Sequence, residues 1–127
     1  MKIIYSAVLI FLLAGFFSSY SYSQETQIIE VVLDSYKFVP EKIVVEVNKP
    51  VELKLKSITS VIPHNITIDD PESGLVFSED VKAGKEGIIN FTPTKTGTYE
   101  FYCNKKNIFA DHRKKGMIGT LEVVEKK

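Results

Sequence analysis

The chain has 127 residues, with 16 basic and 16 acidic side chains and therefore a formal net charge of zero. This balance argues against a nucleic-acid-binding protein, which would normally be clearly basic. The single cysteine excludes an internal disulfide framework. A chain of this length accommodates one domain with one hydrophobic core.

The N-terminal segment has the pattern of a secretory signal. Lys2 precedes a mainly apolar run over residues 3–17, and small residues follow it as far as Ser23. This pattern predicts a signal peptide at residues 1–23 and a mature domain at residues 24–127 in an oxidising compartment, most simply the periplasm. The alternative is an uncleaved membrane anchor, although an apolar run of about 15 residues is short for a bilayer span of about 20.

Apolar and polar residues alternate with a period of two along most of the mature chain, which is typical of half-buried strands. Seven segments show this alternation: Ile28–Leu33, Ile43–Val47, Val51–Lys56, His64–Ile68, Gly87–Phe91, Thr98–Cys103 and Thr120–Val124. Residues that favour turns separate most of them. Strands at this spacing predict an all-β, antiparallel β-sandwich.

One segment of the mature domain, residues 104–116, is too polar for a core strand. Asn107 is a suitable N-cap for a short helix that begins at Ile108, and the basic residues near the end of the segment suit its last turn. On such a helix His112 shares a face with Ile108 and Phe109. We therefore expect a short helical turn between Cys103 and Met117, in what is called here the Cys-to-His loop.

Four scarce residues carry the chemical information. Beyond Met1, the chain contains one cysteine, one methionine and two histidines. Alternation places His64 on the inner face of its strand with Ile66, and Cys103 on the inner face at the end of a later strand. His112 and Met117 follow at either end of the last polar stretch.

Each of these residues alone has an ordinary interpretation. His64 suits a hydrogen-bonded core histidine, Cys103 an inert buried thiol, Met117 core filling, and His112 a solvated surface position. Together they form a donor set of two imidazoles, one thiolate and one thioether, which selects copper and makes a blue-copper electron-transfer site. Zinc is the competing metal, but a thioether is a poor zinc ligand and a carboxylate would be expected in its place.

The order of these motifs resembles the plastocyanin/azurin family of cupredoxins. The segment Gly97–Cys103, followed by His112 and by Gly116–Val123, carries the resemblance, and the upstream segments Phe38–Pro40 and Pro63–Asn65 agree with it. The resemblance covers nearly all of the mature domain. It implies a Greek-key sandwich with one mononuclear type 1 copper ion near one end.

The resemblance also implies a role for each residue of the site. His64, Cys103 and His112 correspond to the equatorial copper ligands, and Met117 corresponds to the axial ligand. Asn65, which follows the first histidine, corresponds to a residue that braces the ligand loop. Support of this kind commonly tunes metal sites.

The sequence departs from the plastocyanin-like pattern at one point. Eight residues separate Cys103 from His112, which is a longer step than in plastocyanin-like proteins. A longer loop changes the surface through which family members usually exchange electrons. It also leaves open a site that admits an external ligand, as in red-copper relatives such as nitrosocyanin.

The leading hypothesis is an exported protein that carries one electron at a time between redox partners such as a c-type cytochrome or a membrane oxidase. The sequence shows no catalytic residue set, so we expect no enzymatic activity. One alternative is a copper carrier that hands over the metal itself. Two others are a small-molecule copper enzyme with a vacant coordination position and a metal-free scaffold sandwich.

The Cys-to-His loop also carries an excess of positive charge. Against Asp111 stand five basic residues, which give a local charge of +4: Lys105, Lys106, Arg113, Lys114 and Lys115. A basic rim around a redox centre steers an acidic partner toward it. The alternative is a solvated helix end whose cations favour the helix C-terminus. We expect a monomer with no nucleic-acid partner.

Overall fold

The structure, a computed structural model, describes Ser21 and residues 23–127. The signal peptide predicted at residues 1–23 therefore lies almost entirely outside the described residues. Nine strands are formed: β1 Gln27–Asp34, β2 Lys37–Val39, β3 Lys42–Glu46, β4 Val51–Ser57, β5 His64–Asp70, β6 Leu75–Val81, β7 Glu86–Phe91, β8 Gly97–Tyr102 and β9 Ile118–Val124. No helix in this part of the chain is long and apolar enough to cross a membrane.

The strands form two sheets, which confirms the all-β sandwich. The order is β2-β1-β4-β7 in one sheet and β3-β9-β8-β5-β6 in the other. The sheets are mixed rather than purely antiparallel, because β1 pairs with β4 in parallel and β3 pairs with β9 in parallel. Alternation shows which face of a strand is buried, but it contains no information on the direction of the neighbouring strand.

Two strands were not predicted from the sequence. Strand β2 has only three residues, too few to show a period. Strand β6 is an edge strand whose apolar face, with Leu75, Phe77 and Val81, is interrupted by Glu79. The seven predicted strands are present, with ends that differ by at most two residues.

The core lies between the sheets and is built from the alternating residues of both. Phe38 and Phe101 are almost completely buried and pack edge to face, with ring centroids 5.0 Å apart. Next to this pair, Gly119 leaves no room for a side chain, because a Cβ there would overlap the Phe101 ring and lie 2.7 Å from the Glu41 carbonyl oxygen. The β8–β9 pair is therefore closely packed at this point.

Strand pairing brings the candidate site residues to one end of the sandwich. Strand β8 is antiparallel to β5, with Thr67 opposite Tyr102, so the start of β5 at His64 lies toward the end of β8. Strand β8 is also antiparallel to β9, with Tyr102 opposite Ile118. Residues just after β8 and just before β9 consequently lie beside the first residue of β5.

Candidate metal centre

Three of the four predicted ligands converge on one point. The Nδ1 atoms of His64 and His112 are 3.2 Å apart, and the Cys103 Sγ atom lies 3.4 Å from His112 Nδ1 and 4.0 Å from His64 Nδ1. All three side chains are buried. Nitrogen and sulfur ligands bind a metal at about 2.0–2.3 Å, so two donors of one ion lie roughly 3–4 Å apart. The spacing fits a single ion.

Met117 is adjacent to this cluster through its backbone. The Cys103 N–H donates to the Met117 carbonyl oxygen at 3.1 Å, and the Met117 N–H donates to the His112 carbonyl oxygen at 3.0 Å. The Met117 side chain is completely buried. These hydrogen bonds connect Met117 to two of the converging residues, and its role as axial ligand remains a prediction.

The protonation of His64 suits a metal ligand. Burial and the positive form of His112 lower the pKa of His64 to about 4, and Asp34 opposes the change. The imidazole is therefore uncharged at neutral pH. Its Nε2 atom is buried and has no hydrogen-bond partner in the described part of the chain, whereas Nδ1 faces the other two donors. A metal bound at Nδ1 would place the imidazole proton on Nε2.

The Cys103 sulfur is enclosed in the same way. Burial raises the pKa of the Cys103 thiol, and the backbone N–H groups of Asn65 and Lys105 oppose that change. The Asn65 N–H donates to Sγ at a distance of 3.4 Å. A bound cation deprotonates a coordinating thiol outright, and these N–H groups would then stabilise the thiolate. The His₂Cys donor set with a nearby methionine fits copper better than zinc.

Asn65 makes the contacts expected of a bracing residue. Its side-chain oxygen accepts a hydrogen bond from the Asn104 N–H at 2.8 Å, and its Nδ2 donates to the Asn104 side-chain oxygen at 2.5 Å. Nδ2 also lies 3.3 Å from an Asp80 carboxylate oxygen. Strand β5 is thus tied to the residue that follows Cys103 and to strand β6.

Tyr36 belongs to the site and was not predicted from the sequence. Its ring lies edge-on to the His112 ring, with centroids 5.0 Å apart and planes at 87°. The backbone of Tyr36 has a φ of 58°, in the left-handed region that non-glycine residues rarely adopt. The Lys115 ammonium lies 4.7 Å from the centre of the Tyr36 ring. Tyr36 lies in the β1–β2 turn, where periodicity gives no signal.

The Cys-to-His loop contains a hydrogen-bonded turn but no helix, and the predicted start at Ile108 is wrong. One helical turn lies further along, where the Lys115 N–H donates to the Asp111 carbonyl oxygen at 3.0 Å. The expectation that His112 shares a face with Ile108 and Phe109 is also wrong. His112 is only 2% exposed, whereas Ile108 and Phe109 are 90% and 85% exposed.

The side chain of Asn107 explains why no helix begins at Ile108. Its Oδ1 atom accepts hydrogen bonds from the N–H groups of Phe109 and Ala110, each at 2.8 Å. The Asn107 N–H donates to the Ala110 carbonyl oxygen at 2.8 Å. Asparagine side chains stabilise such local turns in competition with helix. An isolated antiparallel β-bridge between the backbones of Lys106 and Asp111 closes the turn at its base.

Most of the basic side chains of the loop have partners. Lys105 lies 2.8 Å from Asp80, Lys106 lies 3.4 Å from Asp111, and Arg113 pairs with Glu100. The Arg113 guanidinium also lies 3.8 Å from the centre of the Tyr102 ring. Lys114 forms no ion pair with any carboxylate that the structure describes. A groove of about 360 Å³ is lined by Tyr102, Asn104, Lys106, Asp111, Arg113 and Lys114.

Solved structures similar to this chain include several copper proteins. Reduced auracyanin of Roseiflexus castenholzii has a TM-score of 0.66 and 18% identity, covering 77% of this chain and 97% of that one. The metal-binding domain of the Cu(I)-exporting P-type ATPase CopA of Streptococcus pneumoniae D39 has a TM-score of 0.61 and 25% identity, covering 79% and 87%. A mutant fern plastocyanin has a TM-score of 0.53 and 27% identity, covering 75% and 99%.

No curated protein sequence matches the chain significantly. A family match is nevertheless found, because residues 6–118 match the profile of the cupredoxin-like domain. The auracyanin likeness supports the fold, and the family match covers most of the chain. The chain therefore belongs to the cupredoxin-like domain family.

Proposed function

We propose that the protein binds one copper ion through His64, Cys103, His112 and Met117 and carries one electron at a time between redox partners. The observation that carries this proposal is the convergence of three buried donor atoms within 4.8 Å of one another. When bound, copper supplies a one-electron change between Cu(II) and Cu(I). The protein's part is to hold the donors still and to exclude water.

The hydrogen bonds around the ligands hold them in place. Cys103 and Met117 are joined through the backbone, Met117 is joined to His112, and the His112 N–H donates to the Lys105 carbonyl oxygen at 3.1 Å. The two oxidation states of copper favour different geometries. Ligands held by such hydrogen bonds rearrange little between the two oxidation states, and a small rearrangement favours fast electron transfer.

Burial favours an electron carrier over a site that admits an external ligand. His64 and Cys103 are 0% exposed and His112 is 2% exposed. The longer loop thus accompanies a covered site, and we propose that the protein is not an enzyme. A nitrosocyanin-like centre would bind added azide, and a strong azide-induced change in the visible spectrum would support that alternative.

A second candidate function is copper delivery. It is favoured by the 25% identity with the metal-binding domain of a Cu(I)-exporting ATPase. The two functions differ in how firmly Cu(I) is held. Slow loss of Cu(I) to a competing chelator together with reversible redox cycling supports electron transfer, whereas rapid surrender of Cu(I) supports delivery.

We further propose that the protein is exported and works as a monomer in the periplasm. The support is the charged, apolar and small-residue pattern of residues 1–23. The N-terminal sequence of the protein recovered from a periplasmic fraction tests this. A mature chain beginning at Gln24 is expected, and an intact Met1 in a membrane fraction would indicate an anchor instead.

The site assignment is tested by the visible and electron paramagnetic resonance spectra of the copper-loaded protein. Cys103→Ser removes the thiolate, so the intense thiolate-to-copper absorption should disappear. Ser60→Ala, at an exposed position in the loop before His64, is the matched control and should keep it. Retention of the band in Cys103→Ser would show that the assignment is wrong.

A further inference from the structure

The Cys-to-His loop carries a structured apolar tip, defined here as residues Asn107–Ala110. Ile108 and Phe109 at its centre are 90% and 85% exposed. The tip is held by the hydrogen bond from Asn107 N–H to the Ala110 carbonyl oxygen and by the two that the Asn107 side chain accepts. The two large side chains are therefore presented to solvent by a defined turn.

This exposure distinguishes the tip from the rest of the surface. Ile108, Phe109 and Val61 are the most exposed large hydrophobic residues in the described part of the chain, and the other exposed ones do not exceed 59%. Scattered single apolar residues are normal on protein surfaces, whereas contiguous exposed apolar patches mark interaction sites. Phe109 supplies an aromatic side chain of the kind enriched in the cores of interfaces.

The tip is connected to the candidate copper site through the backbone and its hydrogen bonds. It lies in the chain between Cys103 and His112, and the Lys106–Asp111 bridge closes its base. One step further in, the His112 N–H donates to the Lys105 carbonyl oxygen. A molecule held by the tip is therefore held on the loop that carries His112 and connects Cys103 to Met117.

The charges beside the tip indicate what kind of molecule it contacts. The groove at its base is lined by three basic residues and by Asp111. Lys106 pairs with Asp111 and Arg113 pairs with Glu100, whereas Lys114 forms no ion pair with a described carboxylate. The remaining positive charge favours a partner with carboxylates. The same surface exposes carboxylates of its own, since the side chains of Asp80 and Glu100 are 68% and 47% exposed. An anionic bilayer would repel these groups, whereas a protein surface with both signs of charge can match them. The charge pattern favours a protein over a membrane.

We propose that Ile108 and Phe109 insert into an apolar depression, ringed by carboxylates, on a redox partner protein. This inference rests on the proposed electron-transfer function and names the chemistry of its partner. Two apolar side chains make a small contact, which suits the small interfaces typical of transient redox encounters. Copper held by His64, Cys103, His112 and Met117 would accept the one electron that the partner's reduced haem iron gives up, with no covalent bond formed and no proton exchanged.

The experiment measures reduction of the copper-loaded protein by a reduced c-type cytochrome of net negative charge in stopped flow. In the Ile108→Ser/Phe109→Ser double variant the second-order rate constant for this reduction should fall by about tenfold, because the docked complex is expected to be about tenfold weaker. Lys114→Glu should lower the rate at low ionic strength and reduce its salt dependence. Reduction by dithionite and the visible spectrum should stay unchanged in both variants, which separates a failure of docking from a failure of the copper site.

The matched control is Ile28→Ser/Ile88→Ser, which removes two exposed aliphatic side chains from the β1–β4–β7 sheet (59% and 54% exposed). It should react with the cytochrome as fast as the unmodified protein. Equal rates for the tip variant and the unmodified protein would overturn the proposal, as would an equal loss in the control. Binding to vesicles of phosphatidylcholine and phosphatidylglycerol that disappears in the tip variant would overturn it in favour of a membrane.

Discussion

His64 and Cys103 lie at the ends of strands, whereas His112 and Met117 lie on the segment that connects β8 to β9. The strand half of the site is fixed by sheet pairing and by the core behind it. The loop half is fixed by individual contacts: the Asn107 turn, the Tyr36 ring and the hydrogen bonds of Lys105 and Met117. Substitutions that disturb the packing of the strand half should therefore lower the free energy of unfolding. Substitutions that remove a contact in the loop half should instead lower the affinity for the metal.

The largest effect is expected in the strand half from Gly119→Ala. The new methyl group would overlap the Phe101 ring and approach the Glu41 carbonyl oxygen, so the ring and the Glu41 backbone must both shift in a closely packed core. We expect the free energy of unfolding to fall by about 3 kcal/mol, the upper part of the range for overpacked cores. Urea denaturation of the metal-free protein measures it.

Gly74→Ala is the control for this change. Gly74 has a φ of 76°, and no other group lies within 4 Å of the position that a Cβ atom would take. The cost there is only that of the left-handed backbone, about 1 kcal/mol. If both variants unfold at the same urea concentration, close packing at Gly119 does not stabilise the strand half as argued.

A smaller effect is expected in the loop half from Tyr36→Ala. Removal of the ring leaves His112 without its edge-to-face contact, so its imidazole is less well oriented. We expect Cu(II) to bind about tenfold more weakly, the lower end for residues that orient metal ligands. Competition with a chelator measures the affinity. Tyr36→Phe keeps the ring and should keep the affinity, and equal affinities in all three proteins would contradict the role given to the ring.

The smallest effect is expected at the junction of the halves, from Asp80→Asn. The Lys105 ammonium beside it lowers the pKa of Asp80, but the Asp80 side chain is 68% exposed. The loss of stability at pH 7 should be about 0.5 kcal/mol, as for surface ion pairs. A lowered carboxyl pKa stabilises the fold above the unfolded value of 3.8 and ceases to do so as pH falls through the folded value. The two proteins should therefore unfold alike in acid, and a difference that persists there would contradict the ion-pair explanation.

Sequence reasoning succeeded for the strand half because burial in a sheet follows a two-residue period. The period placed His64 with Ile66, and Cys103 with Phe101, on the inner face, and all four are buried. It failed for the parallel pairs and for β6, since the period carries no strand direction and an edge strand exposes much of its surface. It failed in the loop because one Asn107 side chain competes with a helix, and because Tyr36 reaches His112 only through the tertiary fold.

Both halves of the site are expected to bind the same copper ion. X-ray absorption spectroscopy of the copper-loaded protein tests this expectation most directly. We expect two nitrogen ligands at about 2.0 Å and one short sulfur at about 2.2–2.3 Å, with the sulfur lost in Cys103→Ser. A copper environment of oxygen and nitrogen alone, unchanged by that substitution, would contradict it.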